Sequence, residues 1–527
     1  MVIQQGNNLA FVRFRFLLCL LLPLGLAACA GVPQRDAGEP SAALAAPEET
    51  ALWASLVRPE EADEGRSGFF FLEGGPDAYL TRLTAIEAAA RTIDIQYYIW
   101  DFDGSGRAVS EALLRAAGRG VRVRALVDGF SVGSDATPLL RIASHPNVEV
   151  RIYNAFRTTF RPDYLRYGEL LLDFPRLNQR MHNKILAIDN TLAIVGGRNV
   201  SDTYFAVDEK RYFLDRDVVI AGPLAADVSR SFDVFWNSPY AVPVGAFTEE
   251  ELPPFIPAAL WQDAPPLDWS GFPLPRRVEP EEMEWSIARL RARLVWAPAI
   301  LLFASPGPVF AAQVPLPERG IETVLLRHIR ESEREIAIQM PYVMLTEERA
   351  KAFAEAHRRG VSIVLNTNSL ASHESAIVHY GYARDRVRLI KRGVALHELK
   401  ARPATSAALR GLGVEPVQTT LHSKTIVFDG RYVLIGSFNL DHRSIFHNSE
   451  IGVLIDSPEL ASRALAAMRE DMAPRNSWRV VLEPPRRLVW LDETAEPARR
   501  FLSEPDTGPL SQIFTWLGYF LPIDGLI

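Results

Sequence analysis

Two stretches of this chain carry residues whose types and spacing can do chemistry. Met181 to Asn199, MHNKILAIDNTLAIVGGRN, recurs as Leu421 to Asn439, LHSKTIVFDGRYVLIGSFN, and both read His-x-Lys-x4-Asp-x6-Gly-(Gly/Ser)-x-Asn. An imidazole attacks or moves a proton near neutral pH, and an ammonium or amide beside it steadies an anion. One such motif is weak, because a lone histidine on a strand is usually structural. Two copies with matching extensions point to catalysis by His182, His422, Lys184 and Lys424.

Something must present these groups together. Asp429-Gly430 between β-rich runs is a strong hairpin signal, and Asp189-Asn190 holds the same place in the first copy. A two-residue turn predicts His422 opposite Ser437, Lys424 opposite Ile435 and His182 opposite Gly197. Opposed residues share a face, so His182, Lys184 and Asn199 project together, as do His422, Lys424, Ser437 and Asn439. Asp189 and Asp429 fall roughly 20 Å from their histidines at about 3.3 Å per residue and on the other face, which makes them structural turn residues. The carboxylates expected to orient the imidazoles come from a following strand: Asp217 in DRDVVIAGP and Glu450 in NSEIGVLID.

The elements around the motifs are duplicated too. GFFFLEGGPDAYL, LTRLTAIEAAARTIDIQYYIW and AVSEALLRAAGRGVRVRALVD give a strand and turn, a helix and strand, and a second such pair. AILLFASPGPV, TVLLRHIRESEREIAIQMPYV and EERAKAFAEAHRRGVSIVLNTNS replay that order, with Gln339 where Gln96 stood. Alternating helices and strands make each unit an α/β layer structure. Residues 56–245 form the first unit, 246–288 a Pro- and Glu-rich linker, 289–475 the second unit and 476–527 a C-terminal tail. Prolines in Leu294 to Phe310 favour a buried strand and turn over a membrane span. The tail ends in SQIFTWLGYFLPIDGLI, read as a docked terminal helix with an interfacial membrane contact as the alternative.

A chain of 527 residues at 48% hydrophobic and 23% charged suits two globular units. Its net charge of −7 counts against a nucleic-acid partner. Residues 1–28 read as a signal peptide, with Arg13 and Arg15 ahead of an apolar run and Leu26-Ala27-Ala28-Cys29 at its end. That ending resembles a bacterial lipobox, which implies a lipid on Cys29, residues 29–55 as a lipidated tether and a periplasmic membrane address. Ala30 in place of Asp favours the outer membrane over the inner. The two cysteines, Cys19 and Cys29, leave no thiolate metal cluster.

As a whole the chain resembles the phospholipase D superfamily, whose signature is this doubled HKD motif, and within it the bacterial cardiolipin synthase C type. The likeness rests on IDIQYYIW, RLNQRMHNK, VGGRN, NTNSLA, VHYGYAR, LHSK and GSFNLDHRS. It implies an α/β fold of two α/β/α units related by a pseudo-twofold axis, with the active site at their interface. It also implies phospholipid substrates and no cofactor or metal. One histidine, His182, would form a phosphohistidine while the other, His422, acts as acid and then base. Lys184, Lys424, Asn199, Ser437 and Asn439 would hold phosphoryl oxygens. One imidazole neutral and one charged implies a bell-shaped pH dependence. Transfer that makes cardiolipin from phosphatidylglycerol and a second phospholipid leads. Hydrolysis to phosphatidic acid, a periplasmic phosphodiesterase or nuclease, and a non-catalytic lipid-binding lipoprotein are the alternatives. Tyr97, Tyr98 and Tyr342 are expected near the cleft. Tyr204, Phe205 and Phe446 fit either cleft or core. His373, His379, His397, His442 and His447 lack metal spacing.

Overall fold

The computed structural model describes residues 38–208, 210–248, 286–307, 320–374, 376–404 and 417–508. The signal peptide, Cys29, most of the linker and the final apolar segment lie outside the described residues.

The strands of the first half are β1 (Ser67–Leu72), β2 (Thr92–Tyr97), β3 (Arg122–Asp128), β4 (Val148–Tyr153), β5 (Arg180–Met181), β6 (Ile185–Ile188), β7 (Leu192–Gly196), β8 (Arg211–Leu214), β9 (Asp217–Ala221), β10 (Ala241–Pro243) and β11 (Val295–Ala297). Those of the second are β12 (Ala299–Phe303), β13 (Glu335–Gln339), β14 (Ser362–Asn368), β15 (Val394–Leu399), β16 (Gln418–Leu421), β17 (Thr425–Phe428), β18 (Tyr432–Gly436), β19 (Asn448–Ser449), β20 (Ile451–Asp456), β21 (Ser477–Glu483), β22 (Arg487–Asp492) and β23 (Arg499–Phe501). The first sheet runs β10-β4-β3-β2-β6-β7-β9-β1-β11 and the second β12-β20-β18-β17-β13-β14-β15-β21-β22-β23. Read from opposite ends, the two orders match strand for strand over eight positions, which is the duplication expressed as topology.

Continuous apolar runs such as ILAI, LAIVG and TIVF are buried on both faces because each sheet is covered on both sides. Helices Gly75–Ala88 and Gly104–Gly118 close the outer face of the first sheet, and Ile321–Glu331 and Glu347–Arg358 that of the second. The inner faces share one core, in which Ile185, Val195 and Val218 meet Val427, Ile435 and Val453 with the Pro223–Trp236 and Pro458–Asp471 helices. Two short parallel ladders, β16 with β8 and β19 with β5, stitch the halves on either side of the motif segments.

The boundaries differ from the expected ones in three places. Residues 38–50 are laid on the first unit rather than free: Arg124 donates to the Ser41 carbonyl, and Asp233 accepts from the Ala43 N–H. β11 belongs to the first sheet, antiparallel to β1, so the second unit begins after Ala297. Strands β21 to β23 extend the second sheet, so the unit runs past residue 475 to Phe501. The Leu294 to Phe310 run supplies β11 and β12, and among the described residues no helix is long and apolar enough to cross a membrane.

Candidate active site

Each motif hairpin turns at two residues with positive φ, Asp189 and Asn190 or Asp429 and Gly430. The ladder nevertheless pairs Ile188 with Leu192 and Phe428 with Tyr432, so each loop holds one residue more than expected, Thr191 or Arg431. The register therefore slips by one. The Gly436 N–H faces the Lys424 carbonyl, and Ser437 no longer stands opposite His422.

The motif aspartates sit at the hairpin tips, away from the histidines. Asp189 accepts from the backbone N–H groups of Ala90, Arg91 and Thr92 at 2.9, 2.8 and 2.7 Å. Asp429 does the same for Glu333, Arg334 and Glu335 at 3.0, 2.8 and 3.1 Å. Each carboxylate thus satisfies backbone donors of the turn that joins a helix to β2 or β13.

The histidines are reached by carboxylates of the opposite half. Glu450 holds His182 Nδ1 at 2.9 Å, and Asp215 holds His422 Nδ1 at 2.6 Å. Backbone contacts seat both rings: the His182 N–H donates to the Ser449 carbonyl and the His422 N–H to the Leu214 carbonyl. A carboxylate on Nδ1–H leaves the Nε2 lone pair as the reactive one. Asp217, expected in this role, is instead opposite Gly196 and binds Arg82 at 2.8 Å and Arg198 at 3.2 Å. The duplication itself contained the correction. Aligning Val218-Val219-Ile220 with Val453-Leu454-Ile455 puts Asp215, not Asp217, on Glu450.

Each lysine lies against its own histidine. Lys184 Nζ donates to the His182 carbonyl at 2.7 Å and Lys424 Nζ to the His422 carbonyl at 2.6 Å, and Lys424 Nζ lies 3.0 Å from His422 Nδ1. Burial lowers His182 to about 4, with Glu450 opposing and Lys184 assisting. Burial, Lys424 and Lys184 drive His422 well below 6.5. Burial lowers Lys184 to about 7 and moves Lys424 the same way. Asp215 is raised by burial against the pull of Lys424, whereas Glu450 overcomes burial through His182 and Lys184 and is held low. Two ammonium groups and two imidazoles share a buried centre, poised for a group that brings negative charge.

The amides and hydroxyl divide. Ser437 Oγ donates to Glu450 and accepts from the Ile451 N–H, so it positions that carboxylate and is not open to a phosphoryl oxygen, contrary to expectation. Asn199 accepts from the Ile99 N–H and donates to Tyr204 Oη, which leaves one amide hydrogen for another acceptor. Asn439 has a buried side-chain oxygen with no hydrogen-bond partner. Gly197 replaces Ser437 in the first copy because a Cβ there would meet Asp215 at 2.5 Å.

Aromatic rings wall the centre. Tyr98 is edge-on to His182 at 5.1 Å, and Tyr204 and Tyr342 are edge-on to His422 at 5.2 and 6.4 Å. Tyr97 is not among them; its hydroxyl takes a hydrogen bond from Arg82 in the core. Phe205 is core, and Phe446 is exposed. Glu374, which sequence reasoning missed, hydrogen-bonds Tyr342 Oη. Among the described residues no three His, Cys, Asp or Glu side chains are grouped to hold a metal.

Two α/β units that present oppositely paired imidazoles, each with a lysine, across a pseudo-twofold interface define a phospholipase D-type architecture. The family model "Cardiolipin synthase, PLD-like domain" matches residues 83–236 and again 325–472, and the chain belongs to that family. It is 36% identical to cardiolipin synthase C of Escherichia coli (strain K12) over 88% of this chain and 97% of that protein. It is 27% identical to cardiolipin synthase A of Pectobacterium carotovorum subsp. carotovorum (strain PC1), over 76% of this chain and 68% of the other. The crystal structure of phosphatidylserine synthase of Haemophilus influenzae Rd KW20 superposes with a TM-score of 0.53 at 13% identity, covering 89% of this chain and 95% of that one, which establishes a shared fold.

Proposed function

We propose that this chain is a phosphatidyl transferase that makes cardiolipin from phosphatidylglycerol and a second phospholipid through a phosphohistidine. The crossed pairs His182–Glu450 and His422–Asp215 carry the reading, since they give each imidazole a fixed tautomer at one centre. At pH 7 both imidazoles are neutral in the empty site. An arriving phosphodiester favours the ammonium form of both lysines, offsets their charge and raises the proton affinity of the rings. His182 Nε2 then attacks phosphorus, and the P–O bond to the leaving alcohol breaks as protonated His422 gives that oxygen its proton. Neutral His422 next takes the proton of the acceptor hydroxyl, whose oxygen displaces His182 from phosphorus. Lys184 and Lys424, with Asn199 and Asn439, steady the phosphoryl oxygens as charge builds. We extend the proposal to a lipid on Cys29 that anchors the chain at the bacterial envelope membrane.

The test is product analysis. Purified full chain and its His422→Ala variant are given labelled phosphatidylglycerol with and without phosphatidylethanolamine. Cardiolipin formed by the parent and not by the variant is expected. Phosphatidic acid as the sole product would replace transfer by hydrolysis, and no turnover would leave only lipid binding.

A further inference from the structure

The helix Asp163–Leu172, DYLRYGELLL, is amphipathic the wrong way round for a helix that docks on a protein core. None of its residues is buried. Its polar residues hold it down: Arg166 donates to the Phe130 carbonyl at 2.8 Å and lies 4.9 Å over the Phe156 ring. Glu169 accepts from the Arg157 and Thr158 N–H groups at 2.8 and 3.0 Å and pairs with Arg176. Tyr164, Tyr167 and Leu171, spaced as one helix face, point away and are 72%, 68% and 83% exposed.

This face belongs to a larger patch. Apart from Leu502, every exposed large apolar side chain among the described residues lies on this helix or is Phe130 or Phe446. Phe446 comes from the other half, whose His447 carbonyl accepts from the Arg180 N–H and whose Arg443 donates to Asn178, just beyond the C-terminal end of the helix. The patch also leads inward. Phe130 stacks on Tyr98 at 6.4 Å, and Tyr98 is the ring edge-on to His182.

We propose that this patch docks into the surface of an anionic phospholipid bilayer and that the lipid substrate reaches His182 along the stacked Phe130 and Tyr98 rings; the choice of partner rests on the function proposed above. Four observations favour a bilayer. Tyrosines and leucines on an outward helix face are the composition of an interfacial helix, with ring bodies among acyl chains and hydroxyls at headgroup level. Exposed Arg161 precedes the helix and suits anionic headgroups, while Asp163 pairs with Arg166. A chain of net charge −7 is repelled by such a surface elsewhere, so an apolar face flanked by Arg161 fixes the approach. The patch is also continuous with the candidate active site, which a phospholipid reaches without leaving the membrane.

The test is backbone hydrogen exchange on the full chain, with and without vesicles of phosphatidylglycerol and phosphatidylethanolamine. Exchange across residues 163–172 slows about tenfold with vesicles. Leu171→Asp removes that slowing, and so does the gentler Tyr167→Ser to a lesser degree. Unchanged exchange overturns the proposal. So does slowing that tracks protein concentration without lipid, which would assign the face to a second copy of the chain. Turnover is read in parallel. Leu171→Asp loses at least about tenfold in kcat/KM on vesicles, the equivalent of burying one leucine, and keeps its rate on water-soluble short-chain phosphatidylglycerol. Equal losses on both substrates also overturn it. Vesicle protection without turnover by the parent on either substrate refutes the proposed function and leaves the docking surface standing.

Discussion

Replacing Glu450 by Gln isolates the crossed carboxylate. Glu450 is buried and accepts from His182 Nδ1 at 2.9 Å, Ser444 Oγ at 2.8 Å, Asn448 Nδ2 at 3.4 Å and Ser437 Oγ. Glutamine keeps the volume but loses the charge, and its NH2 can face either the hydroxyls or the imidazole. In the second arrangement it donates to Nδ1, which moves the proton to Nε2 and removes the attacking lone pair. A charge-assisted bond is worth about 1.5–3 kcal/mol. Adding the tautomer penalty gives roughly 2–4 kcal/mol on the transition state, or about 30- to 1000-fold in kcat. The assay is initial rate of cardiolipin formation from phosphatidylglycerol, with thermal unfolding of the same samples to show that the fold is kept. Asp215→Asn, the partner of His422, is the paired variant and loses rate on the same scale. A folded Glu450→Gln protein within threefold of the parent would refute the argument that the opposite half supplies the tautomer of His182.

Other outcomes follow from the same contacts. Lys184 is lowered from 10.5 to about 7 by burial, so the unfolded chain binds more protons than the folded one between those values and stability rises with pH there. Lys184→Met is therefore inactive yet more stable than the parent at pH 7, and its advantage shrinks by roughly 1–3 kcal/mol by pH 9 in denaturant titrations; a widening gap sinks the idea. Because burial lowers His182 to about 4, the acid limb of kcat/KM lies well below 6.5, and a limb at the ordinary imidazole value contradicts it. Asp217→Asn strands Arg82 and Arg198 in the core, so it destabilises the fold by about 3–5 kcal/mol, whereas Asp215→Asn acts chiefly on rate; denaturant midpoints of the two separate these roles. Asp189→Ala leaves three backbone donors without their acceptor and costs about 1–3 kcal/mol of stability, readable in the same experiment.

Much of the architecture was legible because duplication repeats every local signal. The succession of helices and strands along each half follows from patterns that occur twice, and the Asp-Asn and Asp-Gly turns stand where the chain reverses, while the order of the strands in each sheet came only from the structure. Three features misled. The hairpin loops hold one residue more than the turn signal implies, which uncoupled Ser437 from His422. Asp217 has the residue type of a histidine partner, but two arginines distant in sequence occupy it. The segment 476–527 resembled a tail because β21 to β23 gain their partners only from β15 and from one another.

The sequence by itself determined that the chemistry would be bipartite, with one imidazole and one ammonium from each copy of His-x-Lys-x4-Asp, and that the motif aspartates would stand at turns. Those are local facts, settled by spacing along a strand. Only the tertiary structure decided that His182 answers to Glu450 and His422 to Asp215, since hydrogen bonds between halves depend on how β5 and β8 pair with β19 and β16. It likewise decided that the Asp163–Leu172 helix turns its tyrosines and leucines outward. Helical spacing shows that a face is apolar, but contacts made by Arg166 and Glu169 with residues elsewhere in the chain choose which face meets the protein.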